Sequence, residues 1–176
     1  MIEKFTFDFS VGKKSGKLIL VKSEGETRIH VALKILAYLL FYDPALQVEV
    51  DAGMHYKPDL LQRSEEKGIE VWIDCGQISL DKVENLVRKL RRPRIILLKE
   101  THSEMKRFKA SILKHIPAAS RIEFISFEQG FVERLSEAFV RNNHIALYPI
   151  TETAIGVSLE EEYFESEVFR EGGVFS

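Results

Sequence analysis

The sequence has a single cysteine, Cys75, in 176 residues, so no internal disulfide can form. That fits a reducing compartment, and a cytoplasmic setting is expected. Five prolines and ten glycines are too few for a fibrous or disordered chain. Long apolar runs are missing too. The longest, Ile35 to Tyr42, falls far short of the roughly 20 residues that span a bilayer. The opening stretch MIEKFTFDFS breaks its apolar residues with charges and is not expected to be a signal peptide. There is no basic excess: 25 Lys and Arg stand against 27 Asp and Glu, for a formal net charge of -2. Proteins that coat nucleic acid non-specifically are strongly basic, and this balance argues against that class. It leaves room for a small basic patch, or for a site that needs negative side chains.

Short catalytic signatures are also lacking. The glycines are not clustered as a dinucleotide or phosphate-binding loop requires. No Cys pair offers a zinc site, and no Gly-x-Ser-x-Gly elbow occurs. The five histidines are scattered.

What is present is a 45% hydrophobic chain of a length that suits one domain, residues 1–176. Phe5, Phe7 and Phe9 alternate in a strand over Glu3–Ser10, and Lys17–Lys22 completes a hairpin across Gly12–Gly16. Ile29, Leu33, Leu36 and Leu40 mark one face of a helix from Thr27 to Tyr42, stopped by Asp43-Pro44. Short strands are expected at Leu46–Val50 and Tyr56–Leu61, with a charged connector from Gln62 to Gly68. In the strand Ile69–Cys75, Glu70, Trp72 and Asp74 share one face. Ser79 caps a helix with apolar Val83, Leu86, Val87 and Leu90. A buried strand at Ile95–Leu98, a helix at Glu104–His115, a strand at Arg121–Ser126 and a helix at Glu128–Arg141 follow. Strands at Ile145–Ile150 and Ala154–Leu159 come last, and the stretch from Glu160 onward is expected to pack loosely. Alternating strands and helices in the middle, with antiparallel hairpins at both ends, predict an α/β domain with a mixed central sheet flanked by helices.

The chemistry that remains rests on carboxylates. Asp59 lies in Lys57-Pro58-Asp59-Leu60, where Pro58 within a strand marks an edge or a distortion. Glu70 lies on an otherwise apolar strand. An acid there is costly under a helix unless it is paired or bound to a cation, and needs no explanation if the face is wet. Glu26 extends the stripe of the long helix backwards, or simply favours the helix dipole. Carboxylates of this kind hold Mg2+ or Mn2+ in phosphodiester hydrolysis, because such an ion keeps waters and binds the phosphate as well. Trp72 sits two residues past Glu70 and cannot orient water. It is expected to pack against the helix that carries Glu26. Cys75 is read as a core residue.

Glu26-Thr27, Leu36-Ala37-Tyr38, Lys57-Pro58-Asp59-Leu60 and Ile69-Glu70-Val71-Trp72-Ile73-Asp74-Cys75-Gly76-Gln77 together resemble the YaeQ family of small bacterial proteins. The resemblance implies a variant of the restriction-endonuclease-like fold, the PD-(D/E)xK group. By motif, Asp59 matches its Asp, Glu70 its second acid and Glu26 its helical Glu, the three being the implied metal ligands. Gln77 matches a Gln of the family pattern. The lysine position holds Trp72, and Lys57 or Lys99 is the candidate to replace it. The implied function is a metal-dependent phosphodiesterase or nuclease. The alternative is a catalytically inactive nuclease-fold protein that binds a protein partner, in a role linked to transcription. Arg88, Lys89, Arg91, Arg92 and Arg94 form the densest basic cluster. They either touch phosphates or follow the helix dipole. Tyr163, Phe164 and Phe169 are the expected apolar patch for a protein partner.

Overall fold

The structure, a computed structural model, describes residues 1–173. It is a mixed α/β protein, with ten strands and four α-helices among the described residues. Contacts divide the chain into two compact units.

The first unit joins Met1–Tyr42 to Phe127–Val168. Strands β1 (Glu3–Val11) and β2 (Lys14–Lys22) form the expected hairpin. Its turn is tighter than the glycine spacing suggests: Val11 pairs with Lys14, and Gly12 takes φ +58° at the first turn position. That left-handed backbone favours glycine. Phe5, Phe7 and Phe9 are buried, and the Phe7 and Phe139 rings meet edge-on at 5.1 Å. Helix α1 (Arg28–Leu40) is capped by Thr27, whose hydroxyl accepts from the His30 amide at 3.1 Å. Its burial extends beyond the expected stripe to Val31, Ala32, Lys34 and Ile35. The late strands β8 (Asn142–Pro149), β9 (Ala154–Leu159) and β10 (Glu162–Gly172) run antiparallel in sequence. β8 pairs parallel with β1, so the strand order is β2-β1-β8-β9-β10.

Two expectations fail in this unit. The loose stretch from Glu160 is instead β10, an 11-residue strand with Ser166 and Val168 buried. Its inward positions carry one serine and few aliphatics, which hides the alternation; residues 174–176 of that stretch lie outside the described residues. Helix α4 spans only Phe131–Glu137. Gly130 before it is left-handed, at φ +86°, so the helix cannot begin at Glu128. Phe139 stays buried beyond its end.

The second unit comprises Asp43–Ser126 and the segment from Phe169. Its elements are β3 (Leu46–Val48), β4 (Leu60–Ser64), β5 (Gly68–Cys75), α2 (Leu80–Lys89), β6 (Arg94–Thr101), α3 (His102–His115) and β7 (Glu123–Phe127), with a short 3-10 turn at Pro117–Arg121. The strand order is β7-β6-β5-β4-β3. β5 and β6 are parallel, as the strand–helix–strand pattern requires, while β3, β4 and β5 are antiparallel. Pro58 lies before β4, not within it. β4 instead runs on to Ser64, and the expected connector shrinks to a turn closed by Gly68 at φ +69°. Trp72, expected against the helix that carries Glu26, is fully buried in a cluster with Val83 and Leu86 of α2 and Met105 and Ile112 of α3.

Candidate functional site

Every element that builds the site belongs to the second unit. β5 and β6 run parallel with Asp74 opposite Leu97 and Cys75 opposite Leu98. Side chains alternate along a strand, so Trp72 and Asp74 share a face on β5, as Ile95, Leu97 and Lys99 do on β6. Trp72, Ile95 and Leu97 lie together in the apolar cluster beneath α2 and α3. Asp74 and Lys99 therefore share one sheet face at the ends of two parallel strands, with Asp74 opposite Leu97 and Lys99 two residues further on. Open parallel sheets place their ligand sites at such ends.

Asp59 joins them from the segment just before β4. Its amide donates to the Ile73 carbonyl at 3.1 Å and extends the pairing of β4 with β5. Its Oδ2 accepts from the Cys75 amide at 2.8 Å. Asp59 thus sits beside Asp74, and its charge acts on that carboxyl. Pro58, ahead of it, has no amide hydrogen to satisfy and is buried.

Asp74 is 2% exposed. Its Oδ2 accepts from the Trp72 indole at 2.7 Å, and its Oδ1 takes the Lys82 ammonium at 2.9 Å. Burial pushes the carboxyl up to about 6. Lys82 and the Trp72 donor pull it down, and Asp59 adds to the rise. Lys82 stands in the first turn of α2, where Ser79 fixes the helix start by accepting from its amide at 3.1 Å. The same ammonium donates to the Lys57 carbonyl at 3.1 Å and lies 5.9 Å from the Tyr56 ring centroid.

Lys99 is 4% exposed. Its ammonium donates to the Gly76 carbonyl at 2.5 Å and stands 3.9 Å from the Phe108 ring centroid. Burial lowers its pKa, and Glu104 acts in the opposite direction. A lysine from β6 thereby ends at the residue two past Asp74.

The remaining candidates are Glu70, Gln77, Lys57 and Glu26. Glu70 is at the far end of β5 and accepts from Gln62 and Ser64 at 3.3 and 3.4 Å. A strand rise of about 3.3 Å per residue separates it from Asp74 by roughly 13 Å. Gln77 is exposed beyond β5, and the Lys57 residue is exposed with only its carbonyl engaged by Lys82. Glu26 belongs to the first unit. Its carboxylate holds the Lys34 ammonium at 2.7 Å and His30 Nδ1 at 2.5 Å, and accepts from the Ser23 amide at 3.0 Å. Lys34 is fully buried. Burial alone would raise the Glu26 pKa, but the bonds from His30, Lys34 and Ser23 outweigh it and bring it to about 2.

Sequence reasoning placed Asp74 on the right face but passed over it, and it missed Lys82. Ser79, read as a helix cap, was the available signal, because a cap fixes which first-turn side chain faces the strand ends. In the basic cluster, Arg94 is committed to Glu123 through bonds of 2.8 and 2.7 Å, while Arg88, Lys89, Arg91 and Arg92 are exposed. Of the aromatic patch, Tyr163 is exposed, Phe164 half-buried, and Phe169 stacked on His102 at 4.1 Å.

The donor set at the strand ends is two hard carboxylates, one of which already grips a cationic nitrogen. That fits Mg2+ or Mn2+, which such sites bind through one or two carboxylates while waters and phosphate complete the shell. Among the described residues no group of three or more His, Cys, Asp and Glu side chains is placed to hold a metal.

The YaeQ protein family model matches residues 13–168. The chain belongs to the YaeQ family. Two crystal structures of YaeQ proteins share its fold. The one from Xanthomonas axonopodis pv. citri is 15% identical, with a TM-score of 0.80 over 98% of both chains. The one from Pseudomonas syringae is 20% identical, with a TM-score of 0.79 over 98% of this chain and 97% of that one. No curated protein matches. Among the described residues of this YaeQ chain, no helix is long and apolar enough to cross a membrane.

Proposed function

We propose that this YaeQ-family protein is a metal-dependent phosphodiesterase acting on nucleic acid, on a variant of the restriction-endonuclease-like fold. Asp59 and Asp74 hold Mg2+ or Mn2+, and Lys99 serves as the active-site lysine. The observation that carries the reading is the Lys99 ammonium on the Gly76 carbonyl, 2.5 Å away. In the Asp-x-Lys pattern the lysine stands two residues after the acid. Here that residue is Gly76, and Lys99 brings its charge to the same point from the next strand. Asp74 takes the role first assigned to Glu70. A bound divalent ion supplies charge stabilisation and an activated water. The chain's own part is to orient both carboxylates, through the Cys75 amide and the Trp72 indole, and to keep a buried cation beside the scissile phosphate. Cys75, the one cysteine, is buried and in no disulfide, which suits a cytoplasmic enzyme.

The test is cleavage of single- and double-stranded DNA and RNA with Mg2+ or Mn2+. Cleavage is expected; Asp59→Asn and Asp74→Asn should each abolish it, and Lys99→Met should lower it by about 100-fold or more. Absence of cleavage with every substrate and both metals overturns the catalytic reading. One observation favours a second reading, an inactive nuclease-fold protein that binds a protein partner. Lys82 already neutralises Asp74 at 2.9 Å, as a site retired from metal binding would require.

A further inference from the structure

The Lys82 ammonium touches three groups at once: the Asp74 carboxylate, the Lys57 carbonyl and, more distantly, the Tyr56 ring. Its side chain is 17% exposed while Asp74 is 2% exposed. A carboxylate that deep is costly without a cation, and removing its partner is strongly destabilising. Asp59 stands beside it and adds a second negative charge. In the folded chain without metal, the pair needs a counter-cation from the protein itself. Lys82 supplies one from a helix turn that Ser79 pins in place.

Accepting the metal reading above, we infer that Lys82 is the resident cation of the acid pair and that a divalent metal binds by displacing it from Asp74. The displaced ammonium has a place to go. It keeps its bond to the Lys57 carbonyl and its position near the Tyr56 ring, while only the Asp74 contact is given up. Lys99 remains on Gly76 and does not compete, because its partner is a backbone carbonyl. The two lysines thus have opposite relations to the metal. Lys82 opposes loading and stabilises the metal-free fold; Lys99 does neither.

The experiment is Mn2+ titration by calorimetry on the full chain, Lys82→Met, Lys82→Gln and Asp59→Asn, with thermal midpoints in EDTA and in Mn2+. Wild type is expected to bind Mn2+ and Asp59→Asn to bind it less well. Lys82→Met should bind about tenfold tighter than wild type or more, since a like charge close to the ion is gone. It should melt lower than wild type in EDTA and gain more from Mn2+. If it is unfolded in EDTA, Lys82→Gln carries the same comparison. Binding by Lys82→Met alone, with none by wild type, supports the displacement as well. Equal or weaker Mn2+ binding by the Lys82 variants, with Asp59-dependent binding by wild type, overturns the displacement and leaves the metal site standing. No Mn2+ binding by folded wild type or by either Lys82 variant overturns both.

Discussion

Lys99 reaches across from β6 and donates to the carbonyl of Gly76, 2.5 Å away at the end of β5. The contact buries an ammonium against a neutral carbonyl and the Phe108 ring, with Glu104 the acid whose charge acts on it. Desolvation weighs against this ammonium, so an apolar side chain of similar length recovers that cost while giving up one hydrogen bond to a neutral carbonyl.

Lys99→Met is therefore expected to leave the thermal midpoint unchanged or raised. Under the proposed function it lowers phosphodiester cleavage by about 100-fold or more, in the range typical for loss of one preorganised transition-state donor. Mn2+ binding should persist. Melting curves, calorimetry and a cleavage assay on the same preparation check all three.

Glu26 carries a different prediction. Its carboxyl lies at about 2 in the folded chain, below the ordinary 4.5. Its stabilising contribution is complete above about 4.5, where both states are ionised, and is lost as pH falls towards 2 and the unfolded chain binds the proton first. The loss is roughly 1–2 kcal/mol, less than the full shift would give because the carboxyl is partly exposed. Urea unfolding followed from neutral to acid pH should show this limb in wild type and a flatter one in Glu26→Gln. The variant should also be less stable at neutral pH, because buried Lys34 loses that carboxylate.

Gly172 predicts a backbone failure. It sits at φ +75°, and a β-carbon there would run into the Ile122 carbonyl oxygen. Gly172→Ala should cost about 2 kcal/mol or more, read from denaturant midpoints, with strain and collision adding.

Arg94 and Glu123 form a two-bond fork at 2.8 and 2.7 Å. Glu123 is largely buried and Arg94 half-exposed. Glu123→Gln should cost about 1–2 kcal/mol, the exposed arginine reducing what a buried fork would contribute. Nucleic-acid binding should be unchanged if the basic cluster acts through Arg88, Lys89, Arg91 and Arg92.

The elements that were legible in the sequence are those whose signal is local. Thr27 and Ser79 each announce a helix by a side chain that bonds an amide three residues on. Phe5, Phe7 and Phe9 write the strand period in aromatic side chains. Asp59 was legible because an acid after Pro58 is conspicuous. What escaped depends on partners distant in sequence. β10 exists because β9 offers it a ladder, and its own inward residues include Ser166. Glu70 and Asp74 look equivalent on one strand face. Only the pairing of Leu60 with Ile73 brings Asp59 to the Asp74 end. Lys99 lay at a strand end and was a named candidate, yet its reach to Gly76 follows from the parallel register of β5 and β6.

The parallel pairing of β1 with β8 has a consequence for how the chain matures. Thr6 lies opposite Asn142, so a strand must wait for a partner made 136 residues later. The unit that holds Asp59, Asp74 and Lys99 is, apart from its closing segment, one continuous stretch from Asp43 to Ser126. On a ribosome the site-bearing stretch is complete while the β1–β2 hairpin still lacks its neighbour. The hairpin's exposed edge in that interval is the point at which a nascent chain is most open to wrong pairing.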